Sequence, residues 1–211
     1  MSTRVMVLCD DMWHPAEIVR RGLAALGDSF DFEFLENGEA WSSHGMSEFP
    51  LTVLAKANMQ SSKTEEPWLT PKFDRAFTDY VRCGNGLAVI HAGTARYGEL
   101  PPMNALIGGA FECHPEPCEV TIEPVQNHPL TAGVTPFKVR DEHYFMAMGT
   151  APVDVFLQSR SKHGVQPAGW TRVEGEGRVC VLTPGHGAEV WLHPGFQLLL
   201  RNALRWAAKM N

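Results

Sequence analysis

The run Gly86-Leu-Ala-Val-Ile-His91-Ala-Gly-Thr94 limits the folds open to this chain more than any other segment. Residues 87–90 are continuously apolar, with Gly84-Asn85-Gly86 before them and Ala92-Gly93 after. So short a run, bounded by turn formers and holding two β-branched residues, reads as a strand buried on both faces of a parallel sheet. In open α/β sheets the position just past the carboxyl end of such a strand lies in the binding crevice. Small residues after it permit a sharp turn that presents the strand-end side chain to solvent. That side chain is the imidazole of His91, which titrates near neutral pH and also binds metals. A histidine that merely caps the next helix is the plainer alternative.

The segments before it agree. Arg4-Val-Met-Val-Leu-Cys9 is a buried strand, and Pro15 opens a helix that Gly27 stops. Phe30-Asp-Phe-Glu-Phe-Leu35 alternates and is a strand with one polar face. Residues 36–48 are rich in turn formers, 51–55 form a third strand, and a helix over 71–82 buries Phe73, Ala76, Phe77, Tyr80 and Val81. The order β-α-β-β-α-β predicts a doubly wound, mostly parallel sheet. In the second half, strand-like stretches near 118–123, 137–140, 153–160, 168–173 and 178–182 follow at close intervals, predicting an antiparallel extension at one edge of the sheet. A closing helix spans 194–210. With no repeat or linker, residues 1–211 read as a single domain.

A net charge of -6 with no basic stretch argues against a nucleic-acid partner. No apolar run is long enough to span a membrane. The start of the chain lacks a signal-peptide pattern, and five scattered cysteines without a C-x-x-C pair suit reduced thiols, so a cytoplasmic protein is expected. Cys113-His114 with Cys118 resembles half a zinc site without a second half.

The polar clusters sit just beyond strand-like runs: Asp10-Asp11 with His14, then His91, then Asp141-Glu142-His143-Tyr144, then His186 within Thr183-Pro-Gly-His-Gly187. Parallel strands ending on one edge would bring several together. The plainer alternatives are helix capping by Asp10-Asp11, a solvated turn at Asp141-Glu142 and a simple glycine turn around His186. Trp170 and Trp191 are more often core residues than sugar platforms, and His114, His128, His163 and His193 read as loop residues. No Gly-x-Ser-x-Gly, Gly-x-Cys-x-Gly, Gly-x-Gly-x-x-Gly or P-loop is present. What remains is imidazole and carboxylate chemistry, direct or metal-assisted.

The collinear set His14-Pro15, Gly-Leu-Ala-Val-Ile-His91-Ala-Gly, Asn127-His-Pro-Leu-Thr131-Ala-Gly, Arg140-Asp-Glu-His-Tyr144, Gly169-Trp170, Pro-Gly-His186-Gly and the terminal Arg205-Trp206-Ala207 resembles the ThuA-like (trehalose utilisation) family, within the class I glutamine amidotransferase-like superfamily. The resemblance implies a flavodoxin-like sheet whose amidotransferase cysteine elbow is occupied by His91. It also implies a link to disaccharide or keto-sugar utilisation. Two departures stand out: the chain is short for the family, and His143 replaces a small apolar residue.

The expected function is acid-base chemistry on a small-molecule carbohydrate. His91 would be general base or acid, Glu142 or Asp141 its partner, and His14 and His186 would hold substrate or a metal. Tyr144 and Trp170 would hydrogen-bond and stack on the sugar. If His14, His91 and His186 converge, they could hold zinc or a similar divalent ion with a carboxylate. Two alternatives remain: a non-catalytic sugar-binding or regulatory protein, and a metal-dependent hydrolase. Convergence of His91, His186 and Glu142 discriminates, since a binding module needs none. The oligomeric state is open, a homo-oligomer included.

Overall fold

The computed structural model describes residues 2–210. Eleven strands lie, in chain order, at Thr3–Leu8 (β1), Phe30–Leu35 (β2), Leu51–Leu54 (β3), Gly86–Ile90 (β4), Gly109–Cys113 (β5), Cys118–Pro124 (β6), Phe137–Asp141 (β7), Phe145–Met148 (β8), Asp154–Ser161 (β9), Gly164–Glu174 (β10) and Gly177–Leu182 (β11). The α-helices are Ala16–Ala24 (α1), Ser43–Ser47 (α2), Ala76–Arg82 (α3), Pro101–Ile107 (α4), Ala188–Trp191 (α5) and Pro194–Ala207 (α6).

Nine strands form one sheet in the order β2-β1-β3-β4-β11-β10-β9-β6-β7. β2, β1, β3, β4 and β11 are all parallel, and β10, β9, β6 and β7 continue antiparallel. The segment at 178–182 is therefore not part of the antiparallel run alone: β11 joins the parallel half to the antiparallel half. Every residue of β4 is buried between β3 and β11, as its apolar sequence requires.

Strand side chains alternate between two cores, as the two-residue period demands. Val5, Val7, Val53, Ala88, Ile90 and Leu182 face one core under α1 and α6. Met6, Leu8, Leu54, Leu87, Val89 and Val181 face the other, under α3 and α4. Helix α6 contributes Phe196, Leu199, Leu200, Ala203, Leu204 and Ala207, the face its periodicity predicts.

Three features carry no clear signal in the sequence. The turn-rich stretch after β2 holds a 3-10 turn at Gly38–Ala40 and the helix α2. β5 and β8 pair as a separate two-stranded ribbon with a bulge. The sheet also curls: β7 is its far edge, yet Asp141 at the end of β7 accepts hydrogen bonds from the backbone of Gly185 and His186, just past β11.

Candidate metal centre

β1, β4, β7 and β11 run in one direction, so their carboxyl ends share an edge. His14 follows β1, His91 follows β4, Glu142 follows β7 and His186 follows β11. One ligand atom from each of these four residues lies within 4.8 Å of the others. Three imidazoles and a carboxylate are a donor set that divalent ions such as zinc take.

His91 occupies the elbow, with a non-glycine φ of +45°. A left-handed residue of this kind costs roughly 1–2 kcal/mol. The turn packs so tightly on β3 that a Cβ at Gly93 would lie 2.2 Å from the Leu54 carbonyl oxygen. Contrary to expectation, the elbow does not present His91 to solvent. The residue is 1% exposed, and Tyr144 stacks over its ring at 3.9 Å. His91 Nδ1 lies 2.7 Å from the Thr183 carbonyl oxygen. A carbonyl only accepts, so Nδ1 carries the proton and Nε2 turns a lone pair to the centre. Burial pushes the His91 pKa down to about 4, against contact with Glu142, which keeps the ring neutral as a ligand must be.

His14 is fixed the same way, with Nδ1 2.7 Å from Asp11 Oδ1. Asp11 also accepts from the backbone of Trp13, His14 and Ala57. Burial would raise its pKa, but the bond to His14 and the backbone donors hold it below the usual carboxylate range. A histidine braced by a carboxylate behind it is a common second layer around a metal.

Glu142 Oε2 is 3.3 Å from His91 Nε2 and 3.2 Å from His186 Nδ1. Burial opposes its ionisation, yet His186 and His91 hold its pKa below the usual range. Contact with Glu142 raises that of His186. His14 Nε2, His91 Nε2 and His186 Nδ1 are all buried without a hydrogen-bond partner, the Glu142 approaches lacking the alignment of one. Three orphaned imidazole nitrogens aimed at one carboxylate make a donor set that fits a divalent ion.

Two expectations are corrected. Asp141 is not a reacting acid. Both its oxygens are occupied by the backbone of Gly185 and His186, and burial pushes its pKa up to about 7 against those bonds. It holds the His186 loop, where Gly185 has φ +144° and Trp191 Nε1 donates to the Gly185 carbonyl oxygen. Trp170 is no sugar platform: it is wholly buried, and its Nε1 donates to the Ile107 carbonyl oxygen at 2.7 Å.

Above the centre opens a cavity of about 790 Å³. Its walls include His14, Glu142, Tyr144 and His186, together with Met12, Trp13, Arg96, Phe111 and His114, which sequence reasoning did not assign to a site. His114 Nε2 is 3.5 Å from Glu142 Oε1. The Cys113-His114 pair was its one signal in the sequence, but neither Cys113 nor Cys118 belongs to the donor cluster among the described residues. His143, next to Glu142, points away and bonds Ser159 and Ser161.

No curated protein matches the sequence significantly. Among solved structures, a protein described as ThuA-like from Parabacteroides merdae superposes with a TM-score of 0.80 at 18% identity, covering 99% of this chain and 90% of that one. A second, from Bacteroides uniformis, gives 0.75 at 21% identity over 97% and 91%. A Thermoplasma acidophilum protein described as part of a GMP synthase gives 0.61 at 12% identity over 99% and 96%, so the fold is of the amidotransferase-like, flavodoxin type. The sequence model of the ThuA family, described as trehalose utilisation, matches residues 9–207, and the chain belongs to that family.

Proposed function

We propose that this protein is a divalent-metal-dependent enzyme of carbohydrate utilisation, acting on a sugar held in the cavity above His14, His91, Glu142 and His186. One observation carries the reading: three buried imidazole nitrogens without partners converge on a carboxylate, two of the rings braced from behind. A binding module needs no such convergence. The family's description, trehalose utilisation, supports a saccharide as substrate.

When bound, the ion would supply Lewis-acid stabilisation of charge on a sugar oxygen. The chain's own residues do the rest. Asp11 and the Thr183 carbonyl fix the rings of His14 and His91 in the ligand-competent tautomer. Tyr144 and Phe111, with ring centroids 4.3 Å apart, form an apolar wall that keeps bulk water from His91. His114 stands on the cavity wall with Nδ1 donating to the Pro115 carbonyl oxygen, and its Nε2, beside Glu142 Oε1, takes a proton from the substrate and returns it to the product. In this reading His91, expected as general base or acid, would serve as a ligand. The exposed thiols of Cys83 and Cys113 suit the reducing cytoplasm as the working compartment.

The test is elemental analysis of untagged protein, followed by chelation and melting. Near-stoichiometric zinc or another divalent ion is expected. Chelation should lower the melting temperature and re-addition restore it, since an ion at a thousand times its Kd stabilises the native state by about 4 kcal/mol. Protein without metal, whose melting is indifferent to both treatments, would refute the centre.

A further inference from the structure

The cavity is larger than its reacting end needs, and its outer wall has a chemistry of its own. Trp13 is half exposed, the most exposed aromatic side chain among the described residues. Met12 beside it is 40% exposed. Leaving an indole and a thioether in water forgoes apolar burial, and a large aromatic on a wall that also carries histidines, Glu142 and Arg96 is suited to a ligand with one apolar face and hydroxyl groups.

Trp13 is also placed with care. Its backbone N–H donates to Asp11 Oδ1 at 3.0 Å, the oxygen that holds His14 Nδ1. The indole and the first imidazole therefore hang from one buried carboxylate. Arg96 approaches from the loop beyond His91, its Cζ 5.9 Å from the Trp13 ring centroid. Arg96 holds a φ of +66°, a strained conformation for a non-glycine residue, and Glu65 anchors its Nη1 at 2.6 Å. An anchored guanidinium keeps further N–H donors for hydroxyl oxygens.

We infer that Trp13 and Arg96 form an outer subsite that receives the second, non-reacting ring of an uncharged disaccharide or glycoside, and so select it over a monosaccharide. The indole stacks on the C–H face of that ring while the guanidinium donates to its hydroxyls. A cavity of about 790 Å³ suits a ligand of two rings. Among the described residues, Glu142 and Arg96 are the only formally charged side chains besides the histidines on its wall, one of each sign, so the outer wall offers no cluster of like charge that an ionised ligand would need. The inference rests on the carbohydrate reading above, not on the identity of the ion.

The experiment is calorimetric titration of the zinc-treated protein with trehalose and with glucose, for wild type, Trp13→Ala, Trp13→Phe and Arg96→Ala. Trehalose should bind at least tenfold more tightly than glucose. Trp13→Ala should weaken trehalose about tenfold and leave glucose within about twofold, and Trp13→Phe should recover most of the loss. Arg96→Ala should weaken trehalose in the same selective way. Melting temperature and zinc affinity should match wild type in Trp13→Ala, because the side chain is half exposed and ligates nothing. Equal loss of both sugars, unchanged trehalose affinity in Trp13→Ala, or no binding of either sugar by wild type overturns the subsite. If wild type binds no zinc but shows the Trp13-dependent preference, the metal reading falls and the subsite stands.

Discussion

At the scale of single residues, the decisive matter is which hydrogen bond fixes each imidazole. Asp11→Asn keeps one acceptor oxygen and sets an NH2 group either against the Ala57 N–H or against His14 Nδ1 and its two backbone neighbours, and in both cases the His14 ring loses its anionic brace. Zinc affinity, measured by competition with a chromophoric chelator, should fall about 10–100-fold. Trp170 and Trp13 give a paired prediction. Trp170→Ala should cost about 3–5 kcal/mol of stability in urea unfolding, because the indole is buried and hydrogen-bonded. Conservative Trp170→Phe should leave sugar affinity unchanged, which a platform role would not allow. The sequence contained both tryptophans but not their burial. Trp170 lies in a strand next to a glycine, whereas Trp13 lies in a loop, and apolar periodicity ranks neither.

At the scale of elements, the strands of the parallel half were legible because burial on both faces leaves a continuous apolar signature, as in β4. The ribbon of β5 and β8 was not: its strands are short, one is bulged, and it carries His114 and Phe111 to the cavity. The loop after β3 adds a buried charge of its own. Lys56 is wholly buried, with Nζ donating to the Glu36 and Gln60 carbonyl oxygens. Burial pushes its pKa down to about 8 from 10.5, against nearby acidic groups. Between those two values the unfolded chain binds more protons than the native one, so this group makes stability rise with pH from about 8 to 10.5. Below pH 8 both states are charged and the native state bears the full cost of burial. Lys56→Met abolishes that slope while orphaning two carbonyls. Urea unfolding at pH 7.5, 9 and 10.3 should therefore show wild type gaining on Lys56→Met as pH rises. Parallel curves would exclude the assignment.

At the scale of the whole molecule, the sequence located four polar clusters at strand ends, and convergence of three followed from parallel strands sharing an edge. That Glu142 joins them depends on the curl returning β7 to β11, a property of accumulated twist across intervening strands with no local sequence signature. The curl also makes Asp141 a positioning residue rather than an acid. Asp141→Ala leaves the Gly185 and His186 N–H groups unpaired, and should cost about 1–3 kcal/mol or more in stability while weakening zinc binding. Loss of stability with unchanged zinc affinity would show that the loop keeps its shape unaided. The same curl sets when the centre can exist during synthesis. A nascent chain that has released β1 to β4 owns only His14 and His91, and the other two donors emerge after another fifty and ninety-odd residues. An ion meeting that half-chain would find two of the site's three imidazoles and not its carboxylate. On the proposed metal reading, tight capture would therefore report that the last strand has taken its place, and a ribosome-stalled fragment ending before β11 should leave the ion in solution.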